Sequence, residues 1–178
     1  MARLEIHLLG QIKLSLDGKP VETDRRKALA LLVYLACTAK PQRREHLADL
    51  FWPDFDREHA YAYLRRTLWE INQMLGDGWL DAGRELVALK RHDETWIDAQ
   101  VFEKTVSQSS ADLRALEGAA ALYEGEFMPG FFLRDSPGFE QWQLEQNQNL
   151  RRLNIQALDL LSQAYGKANQ PDRAIQVT

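Results

Sequence analysis

The residue types that most often do chemistry are sparse in this sequence and poorly arranged for it. Its four histidines, His7, His46, His59 and His92, stand far apart without metal-ligand spacing. A single cysteine, Cys37, cannot complete a zinc site with them. The tightest acidic group is Asp54, Asp56 and Glu58 beside His59. It falls where a helix should begin, so capping of backbone N–H groups and interaction with the helix dipole account for it better than a metal does. No GxxxxGK loop, no GxGxxG after a strand, no HExxH and no GxSxG occurs. The expectation is a chain without catalytic residues, metal or cofactor. What remains is hydrogen-bonding and ion-pairing chemistry, carried by three basic groups: Arg25, Arg26 and Lys27; Arg43 and Arg44; Lys90 and Arg91.

Hydrophobic periodicity says which elements hold these groups. Leu4, Ile6 and Leu8 alternate with polar residues, and Ile12, Leu14 and Leu16 repeat the pattern before Asp17-Gly18, a hairpin turn signal. A small antiparallel N-terminal sheet is predicted. Asp24 stands as N-cap of a first helix running to about Thr38, with Cys37 in its apolar run. Pro41 separates it from a second helix over about Arg43 to Phe51, which Pro53 ends. A third helix is predicted from about Asp56 to Leu75, before Gly76. Leu64, Leu68, Ile71 and Leu75 form its buried stripe, leaving Tyr63, Arg66, Thr67, Glu70 and Gln73 on the outward face. The period then returns to two. Leu86 to Leu89 and Trp96-Ile97 read as the two strands of a hairpin with a polar tip at Arg91 to Glu94.

Sheet, three helices and hairpin, in that order, are the layout of a winged helix-turn-helix domain. From Asp98 onward only helical signals follow: short helices near Val101 to Val106 and Leu113 to Tyr123, then a long one over about Phe139 to Tyr165. The connector GEFMPGFFLRDSPGF is too aromatic for a flexible linker and should pack across the helices. A last helix is predicted to open at Pro171 and is cut short, as expected of a fragment of a longer protein.

With 178 residues, 45% hydrophobic and 27% charged, the composition is that of a globular protein. No apolar run reaches the roughly 20 residues of a membrane span. The N-terminus lacks the features of a signal peptide. One cysteine suits a reducing, cytoplasmic location. The net charge of −4 runs against the usual balance of a nucleic-acid binder, so the distribution of basic residues matters more than their number.

Several motifs together resemble the SARP-type bacterial transcriptional activators. They are RRKALALLVYLA, LFWPDFDREHAYAYLRRTLWEINQMLGD, LVALKRHDETWIDAQVFE and ALYEGEFMPGFFLRDSPGFEQWQLEQNQNLRRLNIQALDLL. They cover nearly the whole chain, and their combination is more specific than any one of them. The resemblance implies an α+β, OmpR-like winged helix-turn-helix over residues 1–98, followed by an all-α, tetratricopeptide-like activator domain over 99–178. Double-stranded DNA, at repeated promoter sites, is the implied partner, with RNA polymerase and a second protomer as further ones. The third helix would then enter the major groove. Arg66 would read guanine, Tyr63 and Thr67 would offer hydroxyls, Glu70 would face cytosine, and Gln73 would face adenine or phosphate. Arg43 and Arg44, the wing pair Lys90 and Arg91, and Arg25 and Arg26 would hold phosphates. Glu70, Asn72 and Gln73 stand where such domains carry arginines, which implies weak, salt-sensitive binding or reliance on two protomers. A second reading stays open: a helical interaction scaffold whose winged helix binds protein.

Overall fold

A computed structural model describes residues 3–90, 95–108 and 112–167. The expected phosphate contact at Arg91, the polar turn to Glu94 and the helix opening at Pro171 lie outside the described residues. The chain divides into two compact units. One comprises Met1–Glu5, Lys13–Trp96 and Gly130–Trp142, and the other Ile6–Ile12, Ile97–Pro129 and Gln143–Thr178.

The strands β1 (Leu4–His7), β2 (Lys13–Leu16) and β3 (Lys19–Pro20) come first. The β2–β3 turn holds Asp17 and Gly18 at φ of 52° and 73°, the left-handed pair that a two-residue hairpin needs. Pairing of Leu16 with Lys19 closes it.

Three helices make the core of the first unit. Helix α1 (Arg26–Thr38) buries the continuous run Ala30 to Ala36 and ends at Ala39, which adopts the left-handed conformation. Asp24 does not cap it: Arg25 holds the cap position without a side-chain bond. Cys37 is half-buried rather than enclosed. Helix α2 (Arg44–Phe51) turns inward Leu47, Ala48 and Phe51. Helix α3 (Arg57–Leu75) is capped by Asp56, whose carboxylate accepts the His59 N–H, and stops at Gly76, where φ is 82°. These bounds agree with the sequence signals to within one residue.

The hairpin differs from expectation. Strand β6 (Leu86–Leu89) lies between β4 (Gln42–Arg43) and β5 (Leu80–Ala82) in a three-stranded antiparallel sheet. Its partners are Leu89 with Leu80 and Val87 with Ala82 on one side, and Val87 with Gln42 on the other. The return strand β7 (Thr95–Ile97) belongs instead to the other sheet, ordered β3-β2-β1-β7. Among the described residues the hairpin is therefore β5–β6, with Gly83 to Glu85 as its tip.

The aromatic connector packs, as its composition requires. In the first unit, the Phe139 ring meets Phe51 at 5.4 Å and Phe131 at 6.2 Å, and Trp142 meets Tyr34 at 5.0 Å. Ser136 donates to the Phe51 carbonyl at 2.9 Å. Gly138 lies close to Leu50, where a Cβ would stand 2.9 Å from the end of that flexible side chain. Phe132 is the exception and points to solvent.

The second unit is built on α4 (Asp98–Ser107), α5 (Leu113–Leu122) and α6 (Pro137–Lys167) from Gln143 onward. Leu116, Leu161 and Tyr165 form one apolar cluster, and the Tyr165 hydroxyl donates to Glu117 at 2.6 Å. Asp98 is buried, and its carboxylate accepts the N–H groups of Leu8, Leu9 and Ala99 at 2.6 to 2.9 Å. Burial pushes this carboxyl above the usual range, against the downward pull of those three donors. No described helix is long and apolar enough to cross a membrane.

Candidate nucleic-acid interface

All of the candidate groups that follow belong to the first unit. Helix α3 buries Ala60, Leu64, Thr67, Leu68, Ile71 and Leu75. Thr67 was expected on the outward face and is only 5% exposed. Its spacing explains the correction. It lies three residues after Leu64 and four before Ile71, so it falls on their stripe, which is wider than the four leucine and isoleucine positions suggest.

The face that does reach solvent runs through Glu58, Ala62, Arg65, Arg66, Trp69 and Gln73. Arg65 and Trp69 were missed by sequence reasoning. A helical wheel with the wider stripe would have found both. Trp69 is 58% exposed and makes the largest apolar surface of this face. Tyr63 sits at its edge, 37% exposed, with its ring stacked 6.4 Å from Trp52 and edge-on to Phe55 at 4.8 Å. The LFWPDF motif thus fixes Tyr63 through the α2–α3 turn.

Glu70 does not stand free. Its side chain is 15% exposed and lies 3.5 Å from Arg66 and 4.0 Å from Arg25. Both guanidiniums compete for the acceptor that was expected to meet a cytosine. The better account of Glu70 is that it orients Arg66 from one helical turn away. Gln73 is exposed and lines a shallow groove with Trp69, Arg66, Met74, Pro20 and Val21.

Two of the three cations at the start of α1 are committed to neighbouring protein groups. Arg26 donates to the Phe132 carbonyl at 2.8 Å and covers the Phe131 ring at 4.5 Å. Lys27 donates to the Phe51 carbonyl at 2.6 Å, pairs with Asp135 at 2.9 Å and covers the Trp52 ring. These cations hold the connector. Arg25 keeps its guanidinium near Asp24 and Glu70, where it is more than half exposed.

A second basic group was legible only in part. Arg43, Arg44, Arg57 and Arg84 line one surface cleft with Glu45, Glu85 and Tyr61. Three elements meet there: the start of α2, the start of α3 and the β5–β6 tip. Arg44 is fixed by donating to the Gly83 carbonyl at 2.8 Å, while its own N–H bonds the Glu85 carbonyl at 2.9 Å. Arg57 stands 3.9 Å from Glu45 and over the Tyr61 ring at 5.4 Å. The Tyr61 hydroxyl first, and Glu45 after it, push the Arg57 guanidinium further up, so its charge is secure. Arg84 was missed because the hairpin tip was placed one strand too late, whereas Arg57 stands in the first turn of the predicted third helix and was legible there. Lys90, expected at that tip, is exposed at the opposite end of β6, where its N–H bonds the Trp79 carbonyl.

Asp56 marks the start of α3 electrically as well as geometrically. Hydrogen bonds from the His59 backbone and ring hold its carboxyl below the usual range. Among the described residues, no group of His, Cys, Asp and Glu is arranged to hold a metal ion.

No family model matches the chain, and no curated protein does. A solved structure of Mycobacterium tuberculosis EmbR in complex with a low-affinity phosphopeptide has the same fold, at a TM-score of 0.75 and 20% identity. The likeness covers 96% of this chain and 47% of that one, so this chain spans about half the length of EmbR. At this identity, the chain and that half of EmbR are alike in fold.

Proposed function

We propose that the chain is a sequence-specific binder of double-stranded DNA within a transcriptional activator, residues 1–98 forming its winged-helix domain and 99–178 its helical activator domain. The observation that carries this reading is the exposed side of α3, where Arg65, Arg66, Trp69 and Gln73 form one continuous line. Arg66 pairs with guanine O6 and N7, and Gln73 with adenine or a phosphate. The exposed guanidiniums of Arg43, Arg57 and Arg84 take phosphates and set the register of the helix in the groove. The fold shared with EmbR and the motif resemblance to SARP-type activators both support the reading. The short supply of cations toward the end of α3 favours two protomers at repeated sites.

The test begins with enrichment of duplexes from a randomised pool by the 178-residue chain. Affinity for an enriched duplex and for its scrambled version is then compared in wild type and Arg66→Ala. The ratio between the two duplexes should fall at least about tenfold in the variant, the loss expected from one bidentate base contact. Failure to enrich any sequence overturns the reading in favour of a protein-binding scaffold, and an unchanged ratio in Arg66→Ala removes Arg66 from base readout.

A further inference from the structure

Trp69 is the largest exposed side chain on α3 that hydrogen-bonding roles leave unexplained. A lone exposed apolar residue is ordinary on a protein surface. This one is not placed at random. It stands four residues after Arg65, three after Arg66 and four before Gln73, so one helical turn separates it from a guanidinium on one side and an amide on the other. It shares a groove with Arg66, Gln73 and the apolar side chains Pro20, Val21 and Met74. Arg65, beside it, makes no ion pair among the described residues. Of the two acids in that groove, Glu70 is already shared by Arg25 and Arg66. The groove holds Glu22 and Glu70 as well as Arg25 and Arg66, and Arg65 adds a further cation on the same helix face, the kind of basic residue that meets a phosphate backbone.

On these grounds we infer that Trp69 is a specificity-determining residue that contacts the 5-methyl group of a thymine in the major groove. The inference rests on the DNA-binding reading above. The thymine methyl is the only apolar feature among the major-groove base edges, and an indole cannot accept a hydrogen bond from adenine or cytosine. The spacing sets where that thymine lies. One helical turn rises about 5.4 Å, against about 3.4 Å per base pair. The thymine should then fall one or two steps from the guanine that Arg66 reads.

The experiment uses the duplex enriched by the wild-type chain and replaces its thymines one at a time with deoxyuridine, which removes only the methyl group. One thymine within two steps of a required G·C pair should weaken wild-type binding about fourfold, the worth of one buried methyl. Trp69→Ala should bind the thymine and deoxyuridine duplexes equally. Trp69→Phe, which keeps an apolar ring, should retain part of the preference. Trp69 is exposed, so these variants are expected to fold, and their circular dichroism should match wild type.

An enriched site without an A·T pair in reach, wild-type indifference to every methyl, or a methyl penalty that persists in Trp69→Ala would each overturn the inference while leaving DNA binding intact. Loss of self-association in Trp69→Ala, with methyl penalties unchanged, would also overturn it and assign the indole to a protein contact. If no duplex is enriched at all, this inference fails together with the reading beneath it.

Discussion

The two arginine-rich surfaces of the first unit look alike in sequence and differ in what their cations do. At the start of α1, Arg26 and Lys27 are bound to the carbonyls of Phe132 and Phe51 and lie over aromatic rings. At the meeting of α2, α3 and the β5–β6 tip, Arg43, Arg57 and Arg84 keep exposed guanidiniums, and only Arg44 is tied to a neighbouring carbonyl. A run of basic residues is therefore no sign of a phosphate site by itself. The denser cluster holds the connector, while the one assembled from three separate elements keeps Arg43, Arg57 and Arg84 at the surface, with Arg57 beside Glu45 and Tyr61. This also accommodates the net charge of −4, since a local surface can be basic in an acidic chain.

The largest effect is expected from removing the arginines of the cleft. Replacing Arg43, Arg57 and Arg84 together by alanine should lower the slope of log affinity against log salt by roughly three units, about one per lost phosphate contact. Binding to enriched and scrambled duplexes should weaken alike, because phosphate contacts carry no sequence information. Titrations of both duplexes over a range of salt concentrations measure this. An unchanged slope would mean that these guanidiniums face solvent and nothing else.

The opposite pattern is expected from the committed cluster. Lys27→Ala removes the bond to the Phe51 carbonyl and the pair with Asp135. It should cost about 2 kcal/mol of stability, the usual worth of a charge-assisted hydrogen bond in a partly buried place. The salt slope should not change. Urea unfolding and the same titration separate the two effects, and a stable variant with a reduced slope would show that the surfaces have been assigned the wrong way round.

Much of the fold was legible because its signals are local. Asp56 and Gly76 bracket α3, and the aromatic content of the connector requires burial. The hairpin was not legible in the same way. Strand pairing is non-local, and β5 is only Leu80–Ala82 with an aspartate in its middle, so the run resembles a turn. Trp96-Ile97 offers a stronger strand pattern and drew the expected partner of β6 away from its true one. That single error displaced the hairpin tip from Arg84 to Arg91 and hid the basic cleft. Within α3, the stripe was drawn from its large aliphatic residues, which left Thr67 on the wrong side. A small polar side chain can fill an inner position that composition alone assigns to solvent. Trp69 was left out of the outward set although it lies opposite the Leu64, Leu68, Ile71 and Leu75 stripe.

In the proposed complex, α3 presents Arg66 to a guanine edge. Replacing that guanine by 7-deazaguanine removes the N7 acceptor and leaves base pairing untouched. Placed at the required guanine of the enriched duplex, it should weaken wild-type binding by about tenfold and Arg66→Ala by little, so that the two losses do not add. Equal losses in both proteins, or no loss in the wild type, would mean that Arg66 does not read the guanine N7.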